Sequence, residues 1–317
     1  MTLKELLVKF SIKAKKDSST SAGITISAEG IAIAIIDHTN IAPILKFAQF
    51  YPCSPLEQVT LLTKLVSEHQ LDTLPCNLVL SPSEYQLTQV DAPEVAKQEL
   101  SSALHWQIKD LIDFHIDDAI IDHIELPNYS ASGKKQLLVF ASRRSIIQTY
   151  VDLLQATNCN LITIDVAVQS ARNIISRLSL ENNSVGLLNL WDDLSKLSVL
   201  LDQDIYINRT SSIGVDSLSF VTEEDVNSQS IIDSLVLELQ RTFDYYESHS
   251  RQAAISHLLI LNNSQDVENI AELIQQRLGI DCHSVDLKDA MTISSEISSN
   301  IDNKCIIAIG GALRSTH

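Results

Sequence analysis

Along residues 185–216 (VGLLNLWDDLSKLSVLLDQDIYINRTSSIGVD), apolar runs alternate with polar ones. Val185–Leu190, Lys196–Leu201 and Ile205–Arg209 are short and largely apolar. Trp191–Leu194 and Asp202–Asp204 between them are rich in Asp. Short apolar runs bounded by turn residues predict a three-stranded meander. Near the N-terminus, Gly23–Ile36 (GITISAEGIAIAII) has the same plan: a strand, a tight turn at Ala28-Glu29-Gly30, and a returning strand. Two copies of one unit half a chain apart predict a duplicated architecture.

The rest of the chain alternates strand and helix patterns. Ile44–Phe50 reads as a strand, Leu56–Gln70 as a helix after Pro55, and Asn77–Leu80 and Tyr85–Val90 as strands. Pro93 opens a predicted helix to about Asp110, with Leu100, Leu104, Ile108 and Leu111 on one face. His115–Leu126 reads as a strand, Pro127–Gly133 as a loop, and Gln136–Ser142 as a buried strand. Helix 143–157, strand 160–165 and helix 166–178 follow. After the meander come an acidic loop, Thr222–Gln229, and a long helix, Ile231–His249. Strand His257–Leu261, helix Asp266–Leu278 ending at Gly279, and strand Ile280–Val285 come next. Ile306–Ile309 runs into Gly310-Gly311, read as a tight turn before a last short helix. Such alternation argues for α/β layers.

Composition and charge narrow the function. At 317 residues the chain has room for two cores. A net charge of -17 argues against a nucleic-acid partner, which needs clustered Lys and Arg. No apolar run approaches the roughly 18–20 residues of a membrane span, and the first residues lack a signal peptide's apolar core. Five scattered cysteines without a CxxC read as reduced thiols. Met1–Lys16 (MTLKELLVKFSIKAKK) carries Leu3, Leu6, Leu7 and Phe10 at helical spacing among five lysines. This segment can lie on an anionic membrane surface, dock on a partner, or fray. Asp17–Ala22 reads as a polar linker.

Other candidate chemistry reads as structural. Asp192, Asp193, Asp202 and Asp204 fall in turns, where Asp is favoured locally. His115, Asp117, Asp118, Asp122 and His123 lack zinc-ligand spacing and suit an edge strand. Gly310-Gly311 lacks the context of a phosphate loop. Trp106, Tyr245 and Tyr246 sit on helices, where aromatics are usually core; Trp106 can instead anchor a partner. No metal site and no catalytic residue is expected.

Several stretches resemble the PilM family of type IV pilus assembly, its MSHA-pilus (MshI) branch in particular, and the related cell-division protein FtsA. They are Leu104–Leu126 (LHWQIKDLIDFHIDDAIIDHIEL), Leu137–Asn173, Leu197–Gly214 (LSVLLDQDIYINRTSSIG) and Leu237–His249 (LELQRTFDYYESH). The resemblance implies an actin-like (duplicated RNase H-like) α/β fold: two domains around a cleft, with an inserted subdomain in the first. The expected boundaries are a basic helix at 1–19, a first domain at 20–180 with the insertion at about 92–142, and a second domain at 181–317.

The fold's nucleotide chemistry uses Gly and Asp in two hairpin turns, where backbone N–H groups approach phosphates and carboxylates orient the metal. Where the family pattern has Asp and Gly in the first turn, this chain has Thr25 and Ser27. In the second it has Asn189 and Trp191. Asn262 and Asn263 stand where a Gly pair meets the adenosine. The pocket is therefore expected to be degenerate, with no resident cofactor. The resemblance further implies an adaptor, cytoplasmic at the inner face of the inner membrane. It would hold the N-terminal tail of a PilN-like or MshJ-like protein, with a pilus assembly ATPase as another candidate partner. The expected groove residues are Leu80, Tyr85, Leu104 and Trp106. The alternatives are an active ATPase of the same fold, binding ATP and Mg²⁺, and a relative of the type II secretion protein GspL.

Overall fold

The computed structural model describes residues 19–126, 135–180, 184–218, 226–250, 254–264, 269–297 and 301–314, with backbone alone over 226–229. The predicted N-terminal helix Met1–Lys16 and loop Pro127–Gly133 lie outside the described residues. Those described form two compact units. One takes its residues from Met1–Glu125, Lys134–Ile174 and Met291–His317, the other from Leu126–Gly133 and Ile175–Ala290.

In the first unit, β1 (Thr20–Ser27), β2 (Gly30–Asp37) and β3 (Ile44–Pro52) form an antiparallel meander. Two parallel strands, β4 (Cys76–Leu80) and β8 (Leu161–Val166), extend it beyond β1. Helix α1 (Gln58–His69) joins the meander to β4, burying Leu62, Leu65 and Val66. The strands read as continuous apolar runs because both faces of the sheet are covered: Ile24, Ile31, Ile33 and Ile36 are all fully buried.

Between β4 and β8 the chain builds a separate three-stranded sheet, ordered β5 (Tyr85–Asp91), β7 (Gln136–Arg143), β6 (Ala119–Glu125). Helix α2 (Leu100–Ile108) packs on it, closing a small core of Val90, Leu104, Ile108, Ile121, Leu137 and Val139. Helix α3 (Arg144–Ala156) returns the chain to β8, and α4 (Ala167–Ile175) follows.

The second unit repeats the meander. β9 (Ser184–Leu190), β10 (Ser195–Leu201) and β11 (Asp204–Ser211) are antiparallel, and the parallel pair β12 (His257–Asn262) and β13 (Asp281–Ser284) extends the sheet beyond β9. A short α5 (Val215–Leu218), the long α6 (Val226–Ser250) and α7 (Ile270–Leu278) cover one face. Leu235, Leu239, Phe243 and Tyr246 of α6 meet Leu188, Leu197 and Val199 there. α8 (Leu287–Ala290) ends the unit.

The last segment returns to the first unit. β14 (Thr292–Ile293) pairs with β3. A 3-10 turn (Asn303–Cys305) then leads into α9 (Ile306–Ala312), every residue of which is buried, against β1, β2 and β4. Four side chains bind the carbonyls at its end. Ser21 Oγ donates to Ala312 O at 2.6 Å, with His38 Nε2 3.1 Å from the same oxygen. Asn77 Nδ2 donates to Gly311 O and Asn173 Nδ2 to Gly310 O, each at 3.0 Å. The last carbonyls of a helix lack the usual i+4 donors, and these side chains supply bonds there; Gly311 O also accepts from Arg314 N at 3.3 Å. Just beyond, Arg314 pairs at 2.7 Å with the buried Asp165 of β8.

The structure corrects several expectations. Residues 291–314 group with the first unit, not with a second domain running to 317. The inserted subdomain begins at Tyr85 rather than about 92, because β5 pairs with β7. Thr20–Ala22, read as linker, are already in β1. α2 starts at Leu100, seven residues after Pro93; residues 94–99 are all exposed, so no apolar face supports a helix there. His115 caps a 3-10 turn, Ile116–Asp118, before β6 begins. Val226–Gln229, read as loop, open α6. Gly310-Gly311 is no turn: the pair lies inside α9, where a Cβ on Gly311 would strike Val79 and one on Gly310 would strike Ser170.

Candidate functional site

In the second unit, four of the predicted pocket residues come together where β9 and β12 end side by side. Asn189 is buried on β9, and Trp191 is half-buried in the turn after it. Asn263 follows β12. Its backbone N donates to Leu190 O at 2.9 Å, and its Nδ2 donates to the same oxygen at 3.0 Å and to Asn189 Oδ1. Asn262 Oδ1 accepts from Ser264 N, and Ser264 Oγ donates to the Asp192 carboxylate. The turn itself closes by Trp191 N to Leu194 O at 2.9 Å. Helix α5 begins beneath it, with Val215 N donating to Trp191 O at 2.8 Å. Gly214 permits that approach: a Cβ there would stand 2.5 Å from Leu194 N.

Beside these amides lies a group that belongs to no sequence motif. Lys196 of β10 is only 6% exposed and is the cross-strand neighbour of Asn189 and Thr210. Its Nζ donates to Thr210 Oγ1 at 2.6 Å, and burial pulls its pKa below the usual lysine range. The signal available in sequence is one lysine inside an otherwise apolar strand. Asn263 Oδ1 is buried without a hydrogen-bond partner among the described residues. The cluster offers amides, hydroxyls and one buried amine, which can hold a polar group by hydrogen bonds.

Thr25 and Ser27 belong to the first unit. Thr25 is half-buried on β1, opposite Ala32. Ser27 is exposed at the hairpin end. Its Oγ accepts from Glu29 N at 3.2 Å, and its carbonyl accepts from Gln58 Nε2 at 2.7 Å. Lys304 pairs with Glu29 in that turn.

The structure does not bring the four expected groove residues to one open surface. Leu80 closes β4 and is 2% exposed. Leu104 is 1% exposed, inside the subdomain core. The apolar stripe of α2 that suggested a groove faces the subdomain's own sheet. Tyr85 is buried too: its hydroxyl accepts from Val168 N at 3.2 Å at the start of α4, and burial pushes its pKa well up. Trp106 alone lies outside, 73% exposed. Nearby, Tyr150 donates to the Glu84 carboxylate, and Ser142 Oγ donates to Glu84 O at 2.8 Å. Glu84 thus ties the subdomain's β7 to α3, a role no motif announces.

Asp193 and Asp202 are exposed in turns, Asp204 is exposed at the start of β11, and His115 contacts Asp117 on the surface. Among the described residues, no three His, Cys, Asp or Glu side chains converge as metal ligands. Nor is any helix among them long and apolar enough to cross a membrane.

Comparison with known proteins places this architecture. No curated protein matches the sequence. Among solved structures, the PilM–PilN type IV pilus biogenesis complex contains a chain similar over 92% of this one and 97% of its own length, with TM-score 0.72 at 16% identity. A Bacteroides thetaiotaomicron protein with an actin-like ATPase fold and unknown function is similar over 93% and 98%, with TM-score 0.53 at 11% identity. The cytoplasmic domain of EpsL, an inner membrane component of the type II secretion system of Vibrio cholerae, is similar over 81% and 94%, with TM-score 0.50 at 12% identity. The fold is therefore the expected actin-like one. The family model for the type IV pilus assembly protein PilM matches residues 59–229, from α1 through the inserted sheet and the meander β9–β11 to the start of α6. That is more than half of the chain, which accordingly belongs to the PilM family of type IV pilus assembly proteins.

Proposed function

We propose that this protein is a non-catalytic adaptor of an MSHA-type pilus assembly platform. It works in the cytoplasm at the inner face of the inner membrane and holds the N-terminal tail of a PilN-like, here MshJ-like, partner. The observation that carries the reading is the likeness, over nearly the whole of both chains, to a chain of the PilM–PilN complex, joined to family membership. Trp106 supplies an exposed aromatic of the kind that anchors interfaces. A pulldown with the partner's tail tests this. The wild-type chain should retain the tail, and Trp106→Ala should weaken retention about tenfold. No retention by the wild type removes the adaptor reading. A charge at Leu104 is a poor probe, since it would open the subdomain core.

We read the nucleotide motifs as degenerate because Thr25 and Ser27 in the first unit, and Asn189 and Trp191 in the second, supply neither carboxylate nor glycine, and Asp192 is already bonded to Ser264. A second reading, nucleotide binding, is favoured by the unpartnered Asn263 Oδ1 and the buried Lys196 on either side of Asn189. Calorimetry with ATP and Mg²⁺ separates the two. The adaptor reading expects no binding heat; micromolar binding with turnover replaces it with an ATPase.

A further inference from the structure

The sheet of the inserted subdomain ends on β6, which pairs only with β7. One bond shows which backbone groups lie on its outer edge. Ala92 N donates to Lys135 O at 2.9 Å, so the odd-numbered residues of β7 bond toward β5 and the even-numbered ones toward β6. Ser142, Phe140 and Leu138 are opposite Ile120, Asp122 and Ile124. Ile121, His123 and Glu125 therefore turn their N–H and C=O groups away from the sheet. The His123 N–H is taken by the neighbouring Asp122 carboxylate at 2.8 Å. The Ile121 and Glu125 N–H groups have no acceptor among the described residues. Ile121 is only 5% exposed. A backbone donor neither bonded nor well hydrated favours a strand that completes the ladder. β14 gives such cover to the start of β3, and no described strand gives it to β6.

Charge along the edge selects the occupant. Between Lys109 and Lys134 the chain has no Lys or Arg and six carboxylates, Asp110, Asp113, Asp117, Asp118, Asp122 and Glu125, all exposed. Lys135 pairs with Glu125 at 3.6 Å, whereas Asp118 and Asp122 meet no cation among the described residues. A second copy would bring the same acidic edge and be repelled. We propose that β6 receives an extended segment of another protein in which basic and apolar side chains alternate. Laid beside β6, such a strand places one set of side chains next to Ile121 on the α2 face, and the other next to Asp122 on the opposite face. Apolar side chains continue the Ile121 side, and lysines or arginines meet Asp122. Main-chain bonds to Ile121 and Glu125 supply affinity that does not depend on side chains.

The test uses no pilus protein, so its failure leaves the adaptor reading standing. The probe is a short peptide of alternating lysine and valine, added to the full chain. A glutamate–valine peptide and a peptide with the same lysines and valines in two blocks are the controls. Amide hydrogen exchange is read by NMR. In the free chain the Ile121 and Glu125 amides should exchange fast, and the alternating peptide should slow both about tenfold. Glu125→Pro removes one outward N–H without touching the ladder to β7. It should weaken binding about fivefold relative to Glu125→Gln, which removes the charge alone. Asp118→Asn with Asp122→Asn should weaken it by a similar factor, and added salt should do the same. Fast exchange at Ile121 that stays fast when the peptide binds overturns the proposal. So do slow exchange there in the free chain, which would mean an edge already covered, and equal binding of either control peptide. Protection that grows with protein concentration alone would give the edge to a second copy and overturn it too.

Discussion

The two main sheets are built to one plan and locked by different means. The strand order β3-β2-β1-β4-β8 of the first is that of β11-β10-β9-β12-β13 in the second. In each, the third strand has one extra residue opposite the second, Lys46 or Tyr206. In each, the first strand has a glycine four residues before its end, Gly23 or Gly186. A Cβ on Gly23 would stand 2.6 Å from Ala312 N and closer still to Ala308 O, both backbone atoms of α9. On Gly186 it would meet the Phe243 ring at 2.7 Å. The same position thus seats a helix backbone in one copy and a side chain in the other. Duplication preserved the strand path while the covering helices diverged.

That difference can be broken by mutation. Gly23→Ala should cost about 3 kcal/mol or more, because a buried backbone cannot yield, whereas Gly186→Ala should cost about 1–2 kcal/mol, because a ring can turn. Urea denaturation of both variants decides it; equal losses would mean that α9 shifts freely. Arg314→Gln should cost about 2 kcal/mol, since it strands the Asp165 carboxylate inside the first unit while losing a half-exposed guanidinium. Thermal melts beside the wild type measure this. In the second unit, Tyr246→Phe removes a buried hydroxyl 2.7 Å from Ser184 Oγ and should cost about 1 kcal/mol.

A last effect is set by pH. Burial pushes the Cys305 thiol, beside α9, up to about 12. The folded state then keeps a proton that the unfolded chain gives up near pH 8.5. The stability it protects is complete below that pH and falls as pH rises toward 12, by about 1 kcal/mol at pH 9.5. Cys305→Ala should flatten the alkaline limb of a stability–pH curve, and an unchanged limb would discount the thiol.

The strands were legible because covered sheets leave continuous apolar runs: β9, β10 and β12 begin within a residue of where Val185, Lys196 and His257 predict. What stayed hidden depends on distant packing. Nothing near Gly310-Gly311 announces that α9 crosses back to β1, so a glycine pair reads as a turn. The apolar stripe through Leu104 is visible, but whether it faces a groove or its own sheet depends on β6 and β7, which come later in the chain. At the candidate pocket, the residue types could be read locally. The Asn189–Asn263 tie and the burial of Lys196 could not, since they require β9, β10 and β12 to be side by side.

The return of α9 has a consequence for synthesis on the ribosome. Ser21 and the carbonyl it binds are 291 positions apart, so β1 is made long before its cover. Residues 175–290 can complete their own core while the earlier sheet still waits with one side bare. A chaperone guarding the nascent chain would therefore be needed longest by the part made first, and loss of the final two dozen residues would harm the beginning of the protein more than its middle.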